Sequence, residues 1–424
     1  MKLVPYWLDT APPFADGISD AVSGRADVAV IGAGFNGLAA ALTLARKGAS
    51  VVLLEKGLVG SGASGRNGGM CTTGLAINYL TAVERYGAER ATTYFMAYCR
   101  AIDTVERLIE DEDIDCDFKR TGKLNLASKP AHYETLARTH EALAKIDYET
   151  LLVPAGGIRS EIGTDLYHGG MADPRGAGLH VGKFAQGLAR AAHRRGVRIY
   201  PNTEVTGLRR VTAHRHEVLT ADGGLVADQV LLATGSTTGK AFARYRRRIV
   251  PVGSFIIVTE PLPDAVADDL MPTRRMASDS KNLIYYFRIT PDQRLLFGGR
   301  ARFSLSDADA DRASGRILEK GMLKVFPQLR GTRIDYCWGG LVDMTMDRMP
   351  RAGEHDGLYY SMGYSGHGVQ MSTYMGTRMA EVMTGNPEAN IWRGLDWPAI
   401  PGYSGHPWFL PLAGAYYRFK DLVS

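Results

Sequence analysis

The sequence predicts an α/β fold in which a parallel sheet with helices is interleaved with an α+β unit built on a mixed, largely antiparallel sheet. Three observations predict it. Residues 27–54 read as an apolar, β-branched strand, a glycine turn, a helix and a second apolar strand, the pattern of strands buried on both faces. Residues 76–170 open on long helical periodicity, "NYLTAVERYGAERATTYFMAYCRAIDTVERLIEDED", before strands around "GKLNLAS". Residues 245–334 hold segments that alternate, "IVPVGSFIIVTEPL", "LIYYFRIT" and "RLLFGGRARF", as half-buried strands do.

A chain of 424 residues suits roughly two domains and can bury a sizeable core. The division predicted is a first unit of 26–75, 171–244 and 335–385, and a second of 76–170 and 245–334. Residues 1–25 and 386–424 form terminal arms. At 45% hydrophobic and 22% charged the balance is that of a globular chain. The net charge of +5 is scattered, and its densest cluster, "YRRRIV" at 245–250, reads as a solvated element end, so no nucleic-acid partner is expected. Cys71, Cys99, Cys116 and Cys337 show neither a CxxC pair nor metal-ligand spacing. They read as reduced thiols of a cytoplasmic protein without a metal site. The N-terminus lacks the pattern of a signal peptide. "VAVIGAGFNGLAAALTLA", residues 28–45, is nearly long enough to span a membrane, but its glycines and asparagine divide it into strand, turn and helix.

That turn carries the first chemistry. Gly32 makes the tight bend. Gly34 admits a pyrophosphate to the helix N-terminus, where free N–H groups and the dipole favour an anion. Gly37 allows close helix–strand packing. Phe35 and Asn36 belong to the same turn. Glu55 ends the second strand about twenty residues on, where an acid accepts hydrogen bonds from ribose hydroxyls, and Lys56 follows it. An acid there disfavours a 2′-phosphate. The loop "GLVGSGASGRNGGM" (57–70) would be wasteful in a plain NAD fold and suits a ligand reaching past its pyrophosphate to a flavin ring. Gly62, Ala63, Ser64, Arg66 and Asn67 fall on the phosphate side, where Ser64 and Arg66 can meet oxygens, and Gly68, Gly69 and Met70 can offer N–H groups to the ring edge. Within 195–210, Val205 closes over an adenine. "GLVADQVLLATGS" leads to Ala233, Thr234 and Gly235, small enough for close backbone approach. Late in the chain, "GYSGHGV" (Gly363, Tyr364, Gly366, His367, Gly368, Val369) joins a strand to a helix with little side chain, as a corner lying against a flat ligand would.

Together these segments resemble the D-amino-acid-oxidase-like superfamily of FAD-dependent amine oxidoreductases, which includes glycine oxidase and sarcosine oxidase, over about residues 26–385. "GASGRNGG", "GYSGHGV" and "YYRFKD" look most like its γ-glutamylputrescine oxidase branch, and L-pipecolate oxidase-type enzymes look similar. The resemblance implies a Rossmann-like FAD-binding domain interleaved with a substrate domain, and the 363–369 corner against the flavin with its helix N-terminus towards the pyrimidine end. It implies oxidation of an amine or amino acid by hydride transfer to flavin N5, with the imine hydrolysed and dioxygen reduced to hydrogen peroxide. An amine dehydrogenase passing electrons to a quinone or a carrier protein is the alternative. A flavoprotein acting on modified tRNA and a non-enzymatic flavin subunit are more distant readings.

It also implies Gly339 and Gly340, in "CWGGLVDMTMDRMP", as cofactor contacts. Where the sarcosine oxidase branch attaches its flavin to a cysteine, this chain has Gly340, with Cys337 three residues short, so non-covalent FAD is expected. That branch's carboxylate-binding lysine aligns with Gln370, which leaves Arg66 or Arg300 for a carboxylate and tilts the expected substrate towards a longer amine. Its oxygen-assisting lysine aligns with Leu295 and Leu296. His367 and Tyr286 complete the candidate catalytic set. On "NLIYYFRIT", Tyr286 and Arg288 share one face and Tyr285 and Phe287 the other.

Overall fold

A computed structural model describes residues 1–212, 215–299 and 308–423. The strand Arg25–Ile31 is the centre of the first sheet. It pairs in parallel with Val51–Leu54 on one side (Val28 opposite Val51) and with Gly223–Leu232 on the other (Val28 opposite Gln229). Arg198–Tyr200 lies outside Val51–Leu54, and Leu358–Met362 lies outside Gly223–Leu232. The chain thus returns to the sheet in the doubly wound order, which places the reversal point at the C-terminal end of Arg25–Ile31, where open α/β sheets bind ligands. The 28–45 stretch divides as its glycines predict, into this strand and the helix Phe35–Arg46. Among the described residues no helix is long and apolar enough to cross a membrane.

The second sheet has eight strands, in the order Ile334–Met344, Val250–Thr259, Leu295–Gly299, Tyr285–Ile289, Met276–Asp279, Lys123–Leu126, Gly169–Asp173 and Leu151–Pro154. All pairings are antiparallel except that between Met276–Asp279 and Lys123–Leu126. One face packs on the helix Ala308–Val325 through Phe287, Phe297, Leu318 and Phe326, all fully buried. The other face carries Ser254, Tyr286 and Arg288 beside the buried Ile256, Val258 and Leu296.

Two strands depart from the predicted division. Ile334–Met344, assigned by sequence almost wholly to the first unit, ladders along Val250–Thr259 with Phe255 opposite Gly339 and Val250 opposite Met344. Gly169–Asp173 pairs with Lys123–Leu126. The reason is physical: each has an antiparallel partner whose backbone groups would otherwise be unpaired and buried. The consequence is useful, because the long strand carries Gly339–Asp343 from the second sheet to the edge of the first.

Nor is residue 1–25 a peripheral arm. Trp7 is fully buried and its indole N–H donates to Asn67 O at 2.7 Å. At the other end the helix Leu410–Val423 lies beside the loop after Asp279: Asp421 accepts from the backbone N–H groups of Asn282 (2.8 Å) and Leu283 (2.9 Å).

Candidate active site

A cavity of about 970 Å³ runs from the reversal point of the first sheet to the Tyr286 face of the second, at the upper end of the size range of small-molecule sites. Its first half is built by the glycine turn. Gly32 has φ 107°, and Gly34 caps the helix Phe35–Arg46 without a side chain. Phe35 N–H donates to Ser64 Oγ at 3.0 Å, so the 57–70 loop closes onto the helix N-terminus. Glu55 grips the turn as a bidentate acceptor, Oε2 from Ala33 N–H (2.8 Å) and Oε1 from Gly57 N–H (2.9 Å). A carboxylate has about four lone-pair sites, so two remain for a ribose diol.

The 61–70 loop is held from behind. Trp338 Nε1 donates to Arg66 O at 2.9 Å, complementing the Trp7–Asn67 bond. Arg66 itself lines the cavity, but its guanidinium donates to Ser61 O (2.9 Å) and Gly339 O (3.1 Å), so it fastens the loop to the long strand. The other donors of the guanidinium lie outside these two bonds.

Most other predicted residues line the same space. Gly32, Gly34, Phe35, Asn36, Glu55 and Lys56 form one wall, and Gly62, Ala63, Ser64, Asn67, Gly68 and Met70 the loop beside it. Val205 and Ala233–Gly235 close one end, and Gly339, Gly340, Tyr364 and Gly366–Val369 the other. Three predicted contacts lie outside. Gly37 packs against Gly32 under the turn. Gly69 N–H is used by Asn67 Oδ1 (2.8 Å) and its carbonyl accepts from Arg288, so it cannot serve a ring edge. Gly363 N–H donates to Asp343 Oδ2 at 2.7 Å, behind the wall. Arg300 lies outside the described residues.

The second half belongs to the sheet. Tyr286 faces the cavity, its ring against Gly68 and Gly298 and its hydroxyl 3.0 Å from Ser254 Oγ. Arg288, on the same strand face, is buried under the loop, bonded to Gly69 O and Leu179 O. Tyr285 and Phe287 point the other way, into the core.

Three polar positions were missed by sequence. Lys123, Asn125 and Ser278 line this half. The signal was present in "GKLNLAS", where polar residues alternate with buried Leu124 and Leu126. Asp343 was missed too. It lines the cavity and takes the N–H groups of Gly363 and Tyr364, and burial raises its carboxyl to about 7 against the opposing pull of those donors.

His367 lines the corner, with Tyr98 edge-on at 5.4 Å, and its Nδ1 has no hydrogen-bond partner among the described residues. Burial first, then the Lys123 charge, pushes the imidazole down to about 3, so it is neutral at pH 7. Behind it the helix Gly368–Met383 starts without a side-chain cap, leaving its first N–H groups and positive dipole end at the cavity.

These features fit FAD. Glu55, Gly34 and Ser64 would hold its ribose and pyrophosphate, and the uncapped helix would face the electron-rich end of its ring. A carbon placed on Gly366 meets nothing within 4 Å, and one on Gly368 only Tyr364 Cβ at 4.0 Å, so no protein atom fills the space before either. Glu55→Gln is expected to weaken FAD retention by about 1–2 kcal/mol, because it removes a charge-assisted bond. It is also expected to lower stability, since the new amide N–H₂ must face one of two donors, Ala33 or Gly57. Fluorescence titration of the apoprotein with FAD measures the first effect. Equal affinity for FAD would exclude Glu55 as the ribose ligand.

Comparison with known proteins agrees. The chain is 36% identical over 408 residues to the "Probable oxidoreductase OrdL" of Haemophilus influenzae, covering 94% of this chain and 92% of that one. It is 33% identical over 426 residues to the gamma-glutamylputrescine oxidoreductase of Escherichia coli, covering 98% and 97%. The glycine oxidase structure from Geobacillus kaustophilus superposes with a TM-score of 0.71 at 22% identity, over 88% of this chain and all of that one, a likeness of fold. Residues 27–382 match the family model described as "DAO: FAD dependent oxidoreductase". The chain belongs to the DAO family of FAD-dependent oxidoreductases, whose members oxidise amines and amino acids.

Proposed function

We propose that this protein oxidises the C–N bond of a small-molecule amine of the γ-glutamylputrescine kind, with dioxygen as electron acceptor and FAD held non-covalently. The supporting observation is one continuous cavity that joins the dinucleotide cradle to the sheet face carrying Tyr286, Ser254 and Ser278, beside a neutral His367. Bound FAD would supply the redox chemistry, the acceptance of two electrons and a proton from the C–H beside nitrogen and their delivery to dioxygen, and water would hydrolyse the oxidised amine.

The chain's own residues orient and shield. Glu55 and the glycine turn fix the cofactor end. The dipole at Gly368 adds positive potential where negative charge develops. Tyr286 and Ser254 share a hydroxyl pair that can turn towards a substrate amine. The uncharged His367 offers one hydrogen-bonding nitrogen without repelling an ammonium group. Cys337 supports the non-covalent reading: it is fully buried in the core of the second sheet, its thiol directed to Asp311 O at 3.2 Å, while Gly340 lines the cavity.

One observation favours the dehydrogenase reading. Leu295 and Leu296 are fully buried and put no cation at the position where the sarcosine oxidase branch has its oxygen-assisting lysine. Anaerobic mixing with γ-glutamylputrescine, putrescine, pipecolate, sarcosine and D-amino acids should bleach the flavin band with the first. Air should then restore it with peroxide in step with amine consumed. Bleaching without peroxide would favour the dehydrogenase; no bleaching by any of these amines would sink the proposal.

A further inference from the structure

Lys123 is a buried cation that makes no direct ion pair among the described residues. It projects from the strand Lys123–Leu126 into the cavity, and the surface it keeps belongs to the cavity wall. Its Nζ donates to Thr73 O at 2.6 Å, and among the described residues no carboxylate lies within 4 Å of it. The acid opposite it in the sheet, Asp173, is already occupied: Oδ2 accepts from Thr73 Oγ1 and Tyr148 Oη at 2.6 Å each, and Oδ1 from Arg175 N–H. An ammonium group has three donors, and one is used. Burial holds its pKa below the ordinary lysine value, with the nearby Asp173 charge opposing that shift.

Its surroundings are built for an acceptor. Asn125 is two residues along on the same strand face, and its amide nitrogen has no partner among the described residues. Ser278 lies opposite it on the next strand. Of the other cations lining the cavity, Lys281 is paired with Asp279 at 2.5 Å, and Arg66 is tied through two of its donors to the carbonyls of Ser61 and Gly339. Gln370, in the place of the lysine that usually clamps a carboxylate, donates to Thr72 O at 2.6 Å.

We propose that Lys123, with Asn125 beside it, receives a carboxylate carried by the amine substrate and thereby sets specificity. This rests on the amine-oxidising reading and names the chemical class within it: an amine with an anionic group elsewhere in the molecule. The pairing would supply a direct carboxylate contact at the moment of binding, which a substrate without one would leave unmade.

The test compares γ-glutamylputrescine, which carries a carboxylate, with putrescine, which has the same primary amine end and none. Each is mixed anaerobically with the FAD-loaded protein and with Lys123→Met, and flavin bleaching gives the apparent dissociation constant. The expected result is that the preference for γ-glutamylputrescine falls by about thirty-fold or more in Lys123→Met, the scale of a lost hydrogen bond to a charged group. A preference that survives while both amines slow together would overturn the proposal and make Lys123 a general support of the site. Should Lys123→Met not retain FAD, the wild type decides. The α-carboxamide of γ-glutamylputrescine should bind about thirty-fold more weakly than the acid, and equal binding would overturn the inference. If no amine bleaches the wild-type flavin, the failure lies with the proposed function itself.

Discussion

Gly37→Ala is expected to leave a protein that neither holds FAD nor folds stably. The new carbon would stand 1.9 Å from Gly32 O and 3.2 Å from Val30 Cγ1. The first contact is the decisive one, because Gly32 O is backbone at the sharpest point of the turn and cannot swing aside like a side chain. Overpacking of a core ordinarily costs about 1–3 kcal/mol through side-chain rearrangement, and more where backbone must move. Here the helix Phe35–Arg46 would have to lift off the strand Arg25–Ile31. With it would go the helix N-terminus and the bond from Phe35 N–H to Ser64 Oγ, on which the pyrophosphate site depends. A control separates crowding from loss of a glycine as such: Gly156→Ala meets nothing within 4 Å and should unfold at the wild-type denaturant concentration. Denaturant midpoints and bound FAD after purification measure both. A Gly37→Ala protein that stays yellow with an unshifted midpoint would show that the turn has slack the geometry denies it.

How far the sequence reaches is visible at this same turn. Gly32, Gly34, Gly37 and Glu55 were legible because each position demands a residue type at fixed spacing, and the spacing is local. The corner at 363–369 was legible for the same reason. The long strand Ile334–Met344 was misassigned because its partner, Val250–Thr259, lies some eighty residues away, and nothing local to "CWGGLVD" says which sheet will claim it. The second task of Arg66, fastening the loop to Gly339 O on the long strand, was not legible, because that partner is 273 residues away in sequence. Lys123 was passed over for another reason. A lysine in an alternating strand ordinarily faces water, and only the fold shows that this face lines the cavity. The glycine turn and the corner are thus local chemistry, whereas the substrate half is an assembly of single residues from four strands.

Gly368→Ala is expected to uncouple folding from cofactor binding. Nothing in the protein resists a carbon there, since the nearest atom is Tyr364 Cβ at 4.0 Å and the residue opens the helix Gly368–Met383. The helix should gain from alanine by up to ~1 kcal/mol. The apoprotein should therefore unfold at the same or a higher denaturant concentration. If the flavin lies against this corner, the loss appears elsewhere: FAD affinity or the rate of anaerobic reduction should fall by about ten-fold or more, equivalent to about 1.4 kcal/mol. His367→Ala should behave differently. Burial and Lys123 hold its imidazole near 3, so at neutral pH it is uncharged and a weak base, and the yellow colour should remain with only a modest change in reduction rate.

The same shift makes a pH statement. The folded value lies below the ordinary 6.5, so as pH falls the unfolded chain binds the proton first and the folded state loses stability from about pH 6.5 down to about 3. His367→Ala should remove that contribution, narrowing the acid sensitivity of the midpoint relative to wild type. A drop of about three orders of magnitude in the reductive step, the span of general acid–base catalysis, would instead make His367 the proton acceptor. Gly368→Ala indistinguishable from wild type in FAD affinity and reduction would remove the flavin from the corner. Its three glycines would then answer only to the backbone, where Gly363 and Gly366 have φ of 84° and 100° and Gly368 has no such need.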